Sequence, residues 1–457
     1  MMRTMSLSEL ELPLQAVLAG EDRMFSEVST DSRSIHPGAL FVALRGEKFD
    51  GHDYLPQVEE AGASAAIVSE LGDIDLPQLR VADTQRALGL LGAFNRAQYM
   101  APLIAITGSS GKTTVKNMVH AALSQRGQAL ATEGNFNNEI GVPLTLLRLA
   151  PDTEFAVVEM GAAKGGDITW LCEIGRPTVA LLLNAMPAHL EGFGSVEDVA
   201  AAKGEIFDGL GASDCAVINA DQPWAAQWRK RAGQARVLDF GLENPAAISA
   251  SAINVRGVEG VSFTASTPDG EIAIRLRLPG QHNVANALAA IAVGLACGLS
   301  LAEIRDGLES MTPVSGRLCA QQSASGATVI DDCYNANPGS VRAAIDTLAA
   351  CSGRRILVLG AMRELGEDSE SLHRETGAYA RDAGLDGFWG VGEELRESVE
   401  SFGDNGVFCP HREAAIDVIR GQFSAGDTVL VKGSRSAGME VILQALLDDA
   451  SRETVTC

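Results

Sequence analysis

Short apolar runs alternate with helix-length segments between residues 102 and 312. The runs predict strands at 103–106, 155–158, 179–183, 216–218 and 237–240. Strands that alternate with helices are typical of a parallel α/β sheet. From 248 to 278 apolar and polar residues alternate singly between glycine breaks, which predicts an antiparallel β segment. Helices are predicted to follow at 282–296 and 301–310.

The regions on either side show related patterns. Strand-like runs lie at 39–44, 65–68 and 79–81, and a helical stretch over 84–99 leads to a boundary near residue 100. Beyond 313, strands at 328–332, 356–359, 388–391, 407–408 and 428–431 alternate with helices in a Rossmann-like order. We therefore predict an α/β protein with domains at 1–100, 101–312 and 313–457, which fits 457 residues at roughly 100–200 per domain.

The first strand of the middle domain runs into the sequence T-G-S-S-G-K-T-T at 107–114, and a helix is predicted at 114–122. Glycines let backbone N–H groups crowd around a phosphate, and a helix N-terminus adds positive potential. Lys112 would reach the outer phosphates, and the Thr113 hydroxyl would ligate Mg²⁺. The loop is shorter than G-x-x-x-x-G-K-[ST], and an ordinary Gly/Ser turn is the alternative. We expect a nucleoside triphosphate site here.

Three further side chains of this domain are candidates for metal chemistry. Glu159 ends a predicted strand at the sheet edge where ligands gather, so its carboxylate could bind Mg²⁺. His189 follows the next strand on a glycine-rich loop and is either a ligand of a second cation or a structural histidine. Lys203 is either a solvated helix lysine or a desolvated amine that reacts with CO₂ to form a carbamate.

Composition excludes several classes of function. The net charge of −23 argues against general nucleic-acid binding. No apolar run approaches the ~18–20 residues that span a bilayer, and the N-terminal segment lacks the apolar core of a secretory signal. The eight cysteines are scattered without a C-x-x-C pair, which indicates free thiols in a reducing compartment. We expect a cytoplasmic protein without membrane or nucleic-acid partners.

The motifs resemble, in their order along nearly the whole chain, those of the Mur ligases of peptidoglycan synthesis. The matching segments are V-S-T-D-S-R-S-I-H-P-G from 28, T-G-S-S-G-K-T-T, G-N-F-N-N-E-I-G-V-P from 134, V-V-E-M-G, N-A-M-P-A-H-L-E-G-F-G-S, A-K-G-E-I-F, L-P-G-Q-H-N-V-A-N-A-L, S-G-R, D-D-C-Y-N-A-N-P-G-S and K-G-S-R-S. The resemblance implies an N-terminal UDP-sugar-binding domain, a central ATP-binding P-loop domain and a C-terminal Rossmann-like domain that binds the acceptor.

The resemblance also implies an activity. ATP would phosphorylate the terminal carboxylate of UDP-N-acetylmuramoyl-tripeptide, and the amine of D-Ala-D-Ala would attack the acyl phosphate, in the last cytoplasmic step of precursor synthesis. Family members that add diaminopimelate carry a D-N-P-R motif, whereas this chain reads N-A-N-P-G-S from 335, which favours a dipeptide acceptor. Whether the third residue of the tripeptide is diaminopimelate or lysine stays open. A monomer is expected.

Site residues carried over by the resemblance fall into groups. The triphosphate would be held by Thr107, Gly108, Ser109, Ser110, Gly111, Lys112, Thr113 and Thr114, with Asn138 near the phosphates, Asn286 on adenine, Arg317 on the γ-phosphate and Asp332 on ribose. Two Mg²⁺ ions would be supported by Thr113, Glu159, His189 and carbamylated Lys203. UDP-sugar contacts would come from Ser29, Thr30, Ser32, Arg33, Phe49 and His52. Acceptor-side contacts would come from Asn335, Asn337, Ser340, Lys432 and Arg435.

Two other functions compete with this interpretation. A folate polyglutamate-type ligase would share the ATP chemistry, but such enzymes lack a UDP-site-like N-terminal unit. A P-loop switch or scaffold would bind nucleotide without ligase chemistry and would need a single metal ion. The combination of Glu159, His189 and Lys203 disfavours a switch.

Overall fold

The computed structural model describes residues 2–187, 190–419 and 421–448, whose strands form five sheets. The N-terminal sheet has five strands in the order Val17–Ala19, Gln78–Arg80, Ala65–Val68, Leu40–Val42 and Val28–Ser29. All its pairings are parallel except the one made by Val17–Ala19. Met5–Ser6 and Met24–Phe25 form a small antiparallel ribbon. The helices here are Glu11–Leu14, Leu55–Glu60 and Thr84–Arg96, with short 3₁₀ turns at Ser8–Leu10 and Gly51–Tyr54.

The central sheet has six strands, all parallel. Their order is Arg236–Phe240, Cys215–Asn219, Val179–Leu182, Leu103–Thr107, Phe155–Glu159 and Ala129–Ala131. Side chains of the first central strand alternate between two cores, with Ile104 and Ile106 on one face and Leu103 and Ala105 on the other. Both faces are therefore buried, which is why these strands read as continuous apolar runs.

Helices cover both faces of the central sheet. Their bounds are Lys112–Leu123, Gly141–Leu147, Asp167–Gly175, Leu190–Phe193, Val196–Gly204, Ala225–Arg231, His282–Ala296 and Leu301–Ser310, with a 3₁₀ turn at Glu205–Phe207. The predicted antiparallel segment is a three-stranded sheet of Ser249–Val255, Val261–Thr267 and Gly270–Leu276, with a 3₁₀ turn at Gly257–Glu259. Its strands Val261–Thr267 and Gly270–Leu276 contribute apolar side chains to the same core as Ile104.

The C-terminal sheet also has six strands. Their order is Cys319–Gln322, Thr328–Asp332, Thr428–Lys432, Arg355–Gly360, Gly387–Val391 and Gly406–Cys409, and only the first pairs antiparallel. Its helices are Pro338–Ala349, Ser369–Asp382, Arg396–Phe402, Arg412–Ile419 and Glu440–Leu447, with 3₁₀ turns at Gly366–Asp368, Glu393–Leu395 and Arg435–Ala437. Within the described residues, no helix has the length and apolar content to cross a membrane.

The α/β fold class is confirmed, and each strand predicted beyond residue 100 is present with small shifts at its ends. The phosphate-loop helix begins at Lys112 rather than 114, because the left-handed Gly111 (φ 82°) ends the loop and helical geometry starts at once. The helix predicted over 84–99 ends at Arg96. Each described sheet lies within one of the predicted ranges 1–100, 101–312 and 313–457, although the domain bounds themselves stay a prediction.

Helix Thr84–Arg96 joins the N-terminal domain closely to the central one. The Asn95 side-chain amide donates to the carbonyls of Leu146 (2.9 Å) and Leu149 (3.4 Å), and Arg96 Nε donates to the Gly175 carbonyl (3.0 Å). Asn95 is fully buried. Carbonyls at or just beyond the ends of two helices of the central domain thus accept hydrogen bonds from the N-terminal domain.

We predict that Asn95→Ala lowers the free energy of unfolding by about 1–3 kcal/mol, because it removes the buried amide donor that the Leu146 and Leu149 carbonyls share. Gln98→Ala is the matched control, since the Gln98 side-chain amide is exposed and, among the described residues, bonds only the Phe94 carbonyl of the preceding helix. That change should stay within about 0.5 kcal/mol of wild type. Urea unfolding followed by circular dichroism measures both, and equal stabilities of the two variants would contradict the prediction.

Candidate active site

A cavity of about 550 Å³ lies between the carboxyl ends of the central strands and the C-terminal domain. It has a volume typical of small-molecule sites. Most residues predicted to bind nucleotide, metal or acceptor line it, namely Gly108, Ser109, Ser110, Gly111, Lys112, Thr113, Thr114, Asn138, Glu159, Lys203, Asn286, Arg317, Asp332, Asn335, Asn337, Ser340 and Lys432. Residues from two of the predicted domains thus meet in one cavity.

The phosphate loop is held from behind by Asn184. Its side-chain oxygen accepts the Ser110 N–H (2.9 Å), and its backbone carbonyl accepts the Ser109 N–H (3.1 Å). Gly111 needs its positive φ, and a Cβ there would lie 2.8 Å from Asn286 Oδ1. Lys112 Nζ donates to the Gly108 carbonyl (2.7 Å) across the loop. The loop is preshaped, and its lysine lies over the space that the loop encloses.

The side chains of Thr113 and Glu159 are in contact at the cavity floor. Thr113 Oγ1 donates to Glu159 Oε2 (2.9 Å), and Asn137 Nδ2 donates to Oε1 (2.8 Å). Glu159 is 2% exposed. Desolvation lowers the pKa of Lys112, and the Glu159 carboxylate opposes that shift. A buried carboxylate beside a hydroxyl is the hard-oxygen donor set that Mg²⁺ prefers, so these residues fit the predicted metal.

Arg317 reaches this pair from the C-terminal domain. Its Nη2 donates to Thr113 Oγ1 (2.9 Å), and its guanidinium lies 4.2 Å from the centroid of the Tyr334 ring. Sequence reasoning missed Tyr334 and Asn137, although both lie inside the quoted motifs. The Tyr334 ring stacks on the Arg317 guanidinium, which faces the phosphate loop, and so restricts the positions that this guanidinium can adopt.

A buried ion pair forms the C-terminal wall of the cavity. Lys432 Nζ lies 2.5 Å from Asp332 Oδ2 and donates to the Asn335 carbonyl (2.9 Å). Desolvation raises the pKa of Asp332, and the Lys432 charge opposes this rise. Asn337 and Ser340 form a reciprocal capping box at the start of helix Pro338–Ala349. Part of the predicted acceptor group therefore also builds the wall.

Lys203 is buried, so the interpretation of a solvated helix lysine is wrong. It lies on helix Val196–Gly204, is 2% exposed, and has its Nζ 6.0 Å from the centroid of the Phe193 ring. Burial lowers the pKa of Lys203 to about 7, with a contribution from the charge of Lys112. A neutral amine is therefore accessible near physiological pH, as carbamate formation requires.

The remaining nucleotide candidates are partly engaged with the protein. Asn138 Oδ1 accepts the N–H groups of Ile140 and Gly141, and Asn286 Nδ2 donates to Asn283 Oδ1 (2.9 Å). His189 lies outside the described residues. Over 2–187, 190–419 and 421–448, no three His, Cys, Asp or Glu side chains meet as a preformed metal site.

The other predicted residues do not line this cavity. Thr107 is buried with its hydroxyl donating to the Met160 carbonyl (2.8 Å), and the exposed Arg435 pairs with Glu440. The UDP-sugar candidates are in the N-terminal domain, at Ser29, Thr30, Ser32, Arg33, Phe49 and His52. Both ring nitrogens of His52 are engaged, with Asp50 (2.5 Å) and the Ser69 N–H (2.9 Å). Their substrate roles stay predictions.

Comparison with known proteins assigns the chain to a family. A family model described as the Mur ligase middle domain matches residues 106–294. A second, the Mur ligase glutamate ligase domain, matches residues 316–435, and a third, the Mur ligase family catalytic domain, matches residues 25–95. The UDP-N-acetylmuramoyl-tripeptide–D-alanyl-D-alanine ligase of Escherichia coli K12 is 44% identical over 98% of this chain and 100% of its own. The chain belongs to the Mur ligase family.

Solved Mur ligases share the whole architecture. The UDP-N-acetylmuramoylalanyl-D-glutamyl-2,6-diaminopimelate–D-alanyl-D-alanyl ligase of Acinetobacter baumannii matches with a TM-score of 0.88 and 34% identity, over 97% of this chain and 98% of that one. A MurF ligase of Thermotoga maritima in complex with ADP matches with a TM-score of 0.82 and 28% identity, over 92% and 96%. The resemblance noted in the motifs is confirmed at the level of family and fold.

We predict that Lys203→Met gains stability over wild type most strongly below pH 7. The folded protein releases the Lys203 proton near pH 7, whereas the unfolded chain keeps it to its ordinary value of 10.5. Between these values the unfolded state binds more protons, so wild-type stability rises by up to about 1.4 kcal/mol per pH unit. The advantage of the variant therefore shrinks from pH 7 towards 10. Urea unfolding from pH 6 to 9 in CO₂-depleted buffer tests this, and a pH-independent difference would refute it.

Proposed function

We propose that this protein is an ATP-dependent ligase that joins D-alanyl-D-alanine to UDP-N-acetylmuramoyl-tripeptide in peptidoglycan synthesis. One observation carries the proposal: an Escherichia coli ligase named for this reaction is 44% identical over essentially the whole chain. The cavity supplies the chemistry, because a phosphate loop and an arginine from another domain meet there. The Thermotoga maritima relative holds ADP, which supports ATP as the substrate of the loop.

The reaction has to bring two anions together. In the first step a carboxylate oxygen of the tripeptide bonds to the γ-phosphorus as the bond to ADP breaks. In the second step the dipeptide amine attacks the acyl carbon, phosphate leaves and the amine loses a proton. Donors fixed in advance where charge develops lower such barriers most. Lys112 and Arg317 are the cations suited to the phosphoryl group, since both line the cavity at the loop.

Mg²⁺ fits the donor set formed by the Thr113 hydroxyl and the Glu159 carboxylate, and when bound it would neutralise charge on the triphosphate. A second ion would be supported by His189 and a carbamate on Lys203. The carbamate forms when the neutral amine attacks CO₂ and loses a proton, giving an anionic oxygen ligand. The burial of Lys203 and its lowered pKa support this part of the proposal.

The substrates are assigned to the three domains by the same proposal. The UDP-sugar would contact Ser29, Thr30, Ser32, Arg33, Phe49 and His52, and the dipeptide would contact Asn335, Asn337, Ser340, Lys432 and Arg435. Asn138, Asn286 and Asp332 would take the phosphates, adenine and ribose. The donor arm is proposed to carry the alanyl-D-glutamyl portion named for the Acinetobacter baumannii relative. We also propose that the enzyme acts as a cytoplasmic monomer.

Phosphate release from ATP is expected only when both UDP-N-acetylmuramoyl-tripeptide and D-Ala-D-Ala are present. Lys112→Ala should reduce the rate by about 100-fold or more, because a cation at the developing charge is lost. Lys230→Ala, at an exposed lysine of helix Ala225–Arg231, serves as the matched control and should match wild type. A phosphate-release assay with each substrate omitted in turn decides; steady release with neither substrate would overturn the ligase assignment.

Lys203→Ala should be nearly inactive and partly restored by formate or acetate, because the truncated side chain leaves space for a small carboxylate in place of the carbamate. Lys203→Met is the matched control, since its side chain fills the same space and should not respond. Turnover is measured against carboxylate concentration. Failure to restore Lys203→Ala, or equal restoration of both variants, would contradict the carbamate without affecting the proposal that the protein is a ligase.

A further inference from the structure

Lys116 is a buried lysine that the proposed mechanism does not use. It lies one turn after Lys112 on helix Lys112–Leu123 and is 4% exposed. Its Nζ donates to the carbonyls of Thr132 (2.7 Å) and Gly134 (3.4 Å), and it forms no ion pair with any residue that the structure describes. A buried ammonium without a carboxylate partner is costly, so packing alone does not explain a lysine at this position.

The two carbonyls lie where the chain leaves the central sheet and enters a loop over residues 133–138. Thr132 comes directly after the edge strand Ala129–Ala131, and its Oγ1 accepts the Glu159 N–H (3.0 Å). Its own N–H donates to the Val157 carbonyl (3.0 Å). Lys116 therefore joins the phosphate-loop helix to the start of the 133–138 loop, beside Glu159.

Further along, the same loop reaches the Glu159 carboxylate. Asn137 Nδ2 donates to Glu159 Oε1 (2.8 Å), and the Asn137 carbonyl accepts the Gly161 N–H (2.7 Å). A Cβ on Gly161 would lie 2.8 Å from Asn137 Oδ1, so the glycine leaves room for this amide. With Oε1 bonded to Asn137, Oε2 is the oxygen that accepts from Thr113. The 133–138 loop thus orients the carboxylate to which we assign Mg²⁺.

We propose that Lys116 is a positioning residue for this Mg²⁺ site. Its hydrogen bonds fix the start of the 133–138 loop, and the loop in turn holds Asn137 against the Glu159 carboxylate. The inference rests on the proposed function, which puts Mg²⁺ at Glu159. Removing a partner that orients a metal-binding side chain typically costs ~10–100-fold in metal affinity or activity.

The charge of Lys116 acts in the opposite direction. Desolvation lowers the pKa of Lys116 and the Glu159 carboxylate opposes that fall, so the two charges interact. A cation near Glu159 repels Mg²⁺, and removing the charge alone would therefore tighten metal binding. Because Lys116 donates to the loop and not to Glu159 itself, we expect the loss of loop anchoring to outweigh this repulsion. The direction of the change in metal affinity distinguishes the two effects.

Lys116→Met tests the inference with ADP and Mg²⁺ alone. The substitution keeps the length of the side chain but removes its charge and its donors. Calorimetry gives the ratio of ADP affinity in excess Mg²⁺ to ADP affinity in EDTA. This ratio should exceed one in wild type and fall about tenfold in Lys116→Met. An unchanged or larger ratio in the variant overturns the inference.

His120→Ala is the matched control. His120 lies one turn further along the same helix, and its Nε2 is 3.0 Å from the Ala129 carbonyl oxygen, at the other end of the same edge strand. The control breaks a contact between the same helix and strand away from Glu159, so the ratio should match that of wild type. An equal fall in both variants would indicate general loosening and contradict a specific role for Lys116.

Asn137→Ala shows whether Lys116 acts through the loop. Adding Lys116→Met to Asn137→Ala should lower the ratio no further, because the amide that Lys116 positions is already absent. If the two losses multiply, Lys116 acts elsewhere and the inference is wrong. Lys116→Gln, which keeps a neutral donor, takes the place of Lys116→Met if that variant does not fold. A wild-type ratio of one would overturn the Mg²⁺ site of the proposed function together with this inference, whereas a retained ratio in the variants overturns the inference alone.

Discussion

A chain of hydrogen bonds from Arg317 through Thr113 to Glu159 links the C-terminal domain to the phosphate loop. One end is a cation, the other is a buried carboxylate, and the hydroxyl between them accepts from the first and donates to the second. After small rearrangements of these side chains, Arg317 would donate to a phosphate oxygen, and the oxygens of Thr113 and Glu159 would bind Mg²⁺. The C-terminal domain therefore adds a second cation, Arg317, to the charges of Lys112 and Glu159 on the central domain.

The environment of Lys203 has the opposite character. Its ammonium is taken out of water without a described carboxylate partner, which favours the neutral form and gives a pKa of about 7. Around Glu159, by contrast, the Thr113 hydroxyl and the Asn137 amide each donate to one of the two carboxylate oxygens. A single cavity thus places a carboxylate among hydrogen-bond donors and an amine without a described carboxylate partner, which favours the neutral form of the amine.

Much of the fold and part of the candidate site could be predicted from the sequence, for identifiable physical reasons. Buried parallel strands carry continuous apolar runs, so the central and C-terminal sheets were visible in the pattern. The edge strands Ala129–Ala131 and Cys319–Gln322 were missed because they are short and half-exposed, with no such run. The burial of Lys203 and the stacking of Arg317 on Tyr334 depend on neighbours distant in the chain or on side-chain direction. The spacing of residues along one sequence reveals neither the burial nor the stacking.

The two domain interfaces differ in what holds them. Between the N-terminal and central domains, the buried Asn95 side chain donates hydrogen bonds to backbone carbonyls. No small substrate would replace these hydrogen bonds. At the phosphate loop, the C-terminal domain contacts the central one through the hydrogen bond from Arg317 to Thr113. A phosphate oxygen can replace the Thr113 hydroxyl as the acceptor of this hydrogen bond. Substrate binding can therefore exchange contacts at the second interface without disturbing the first.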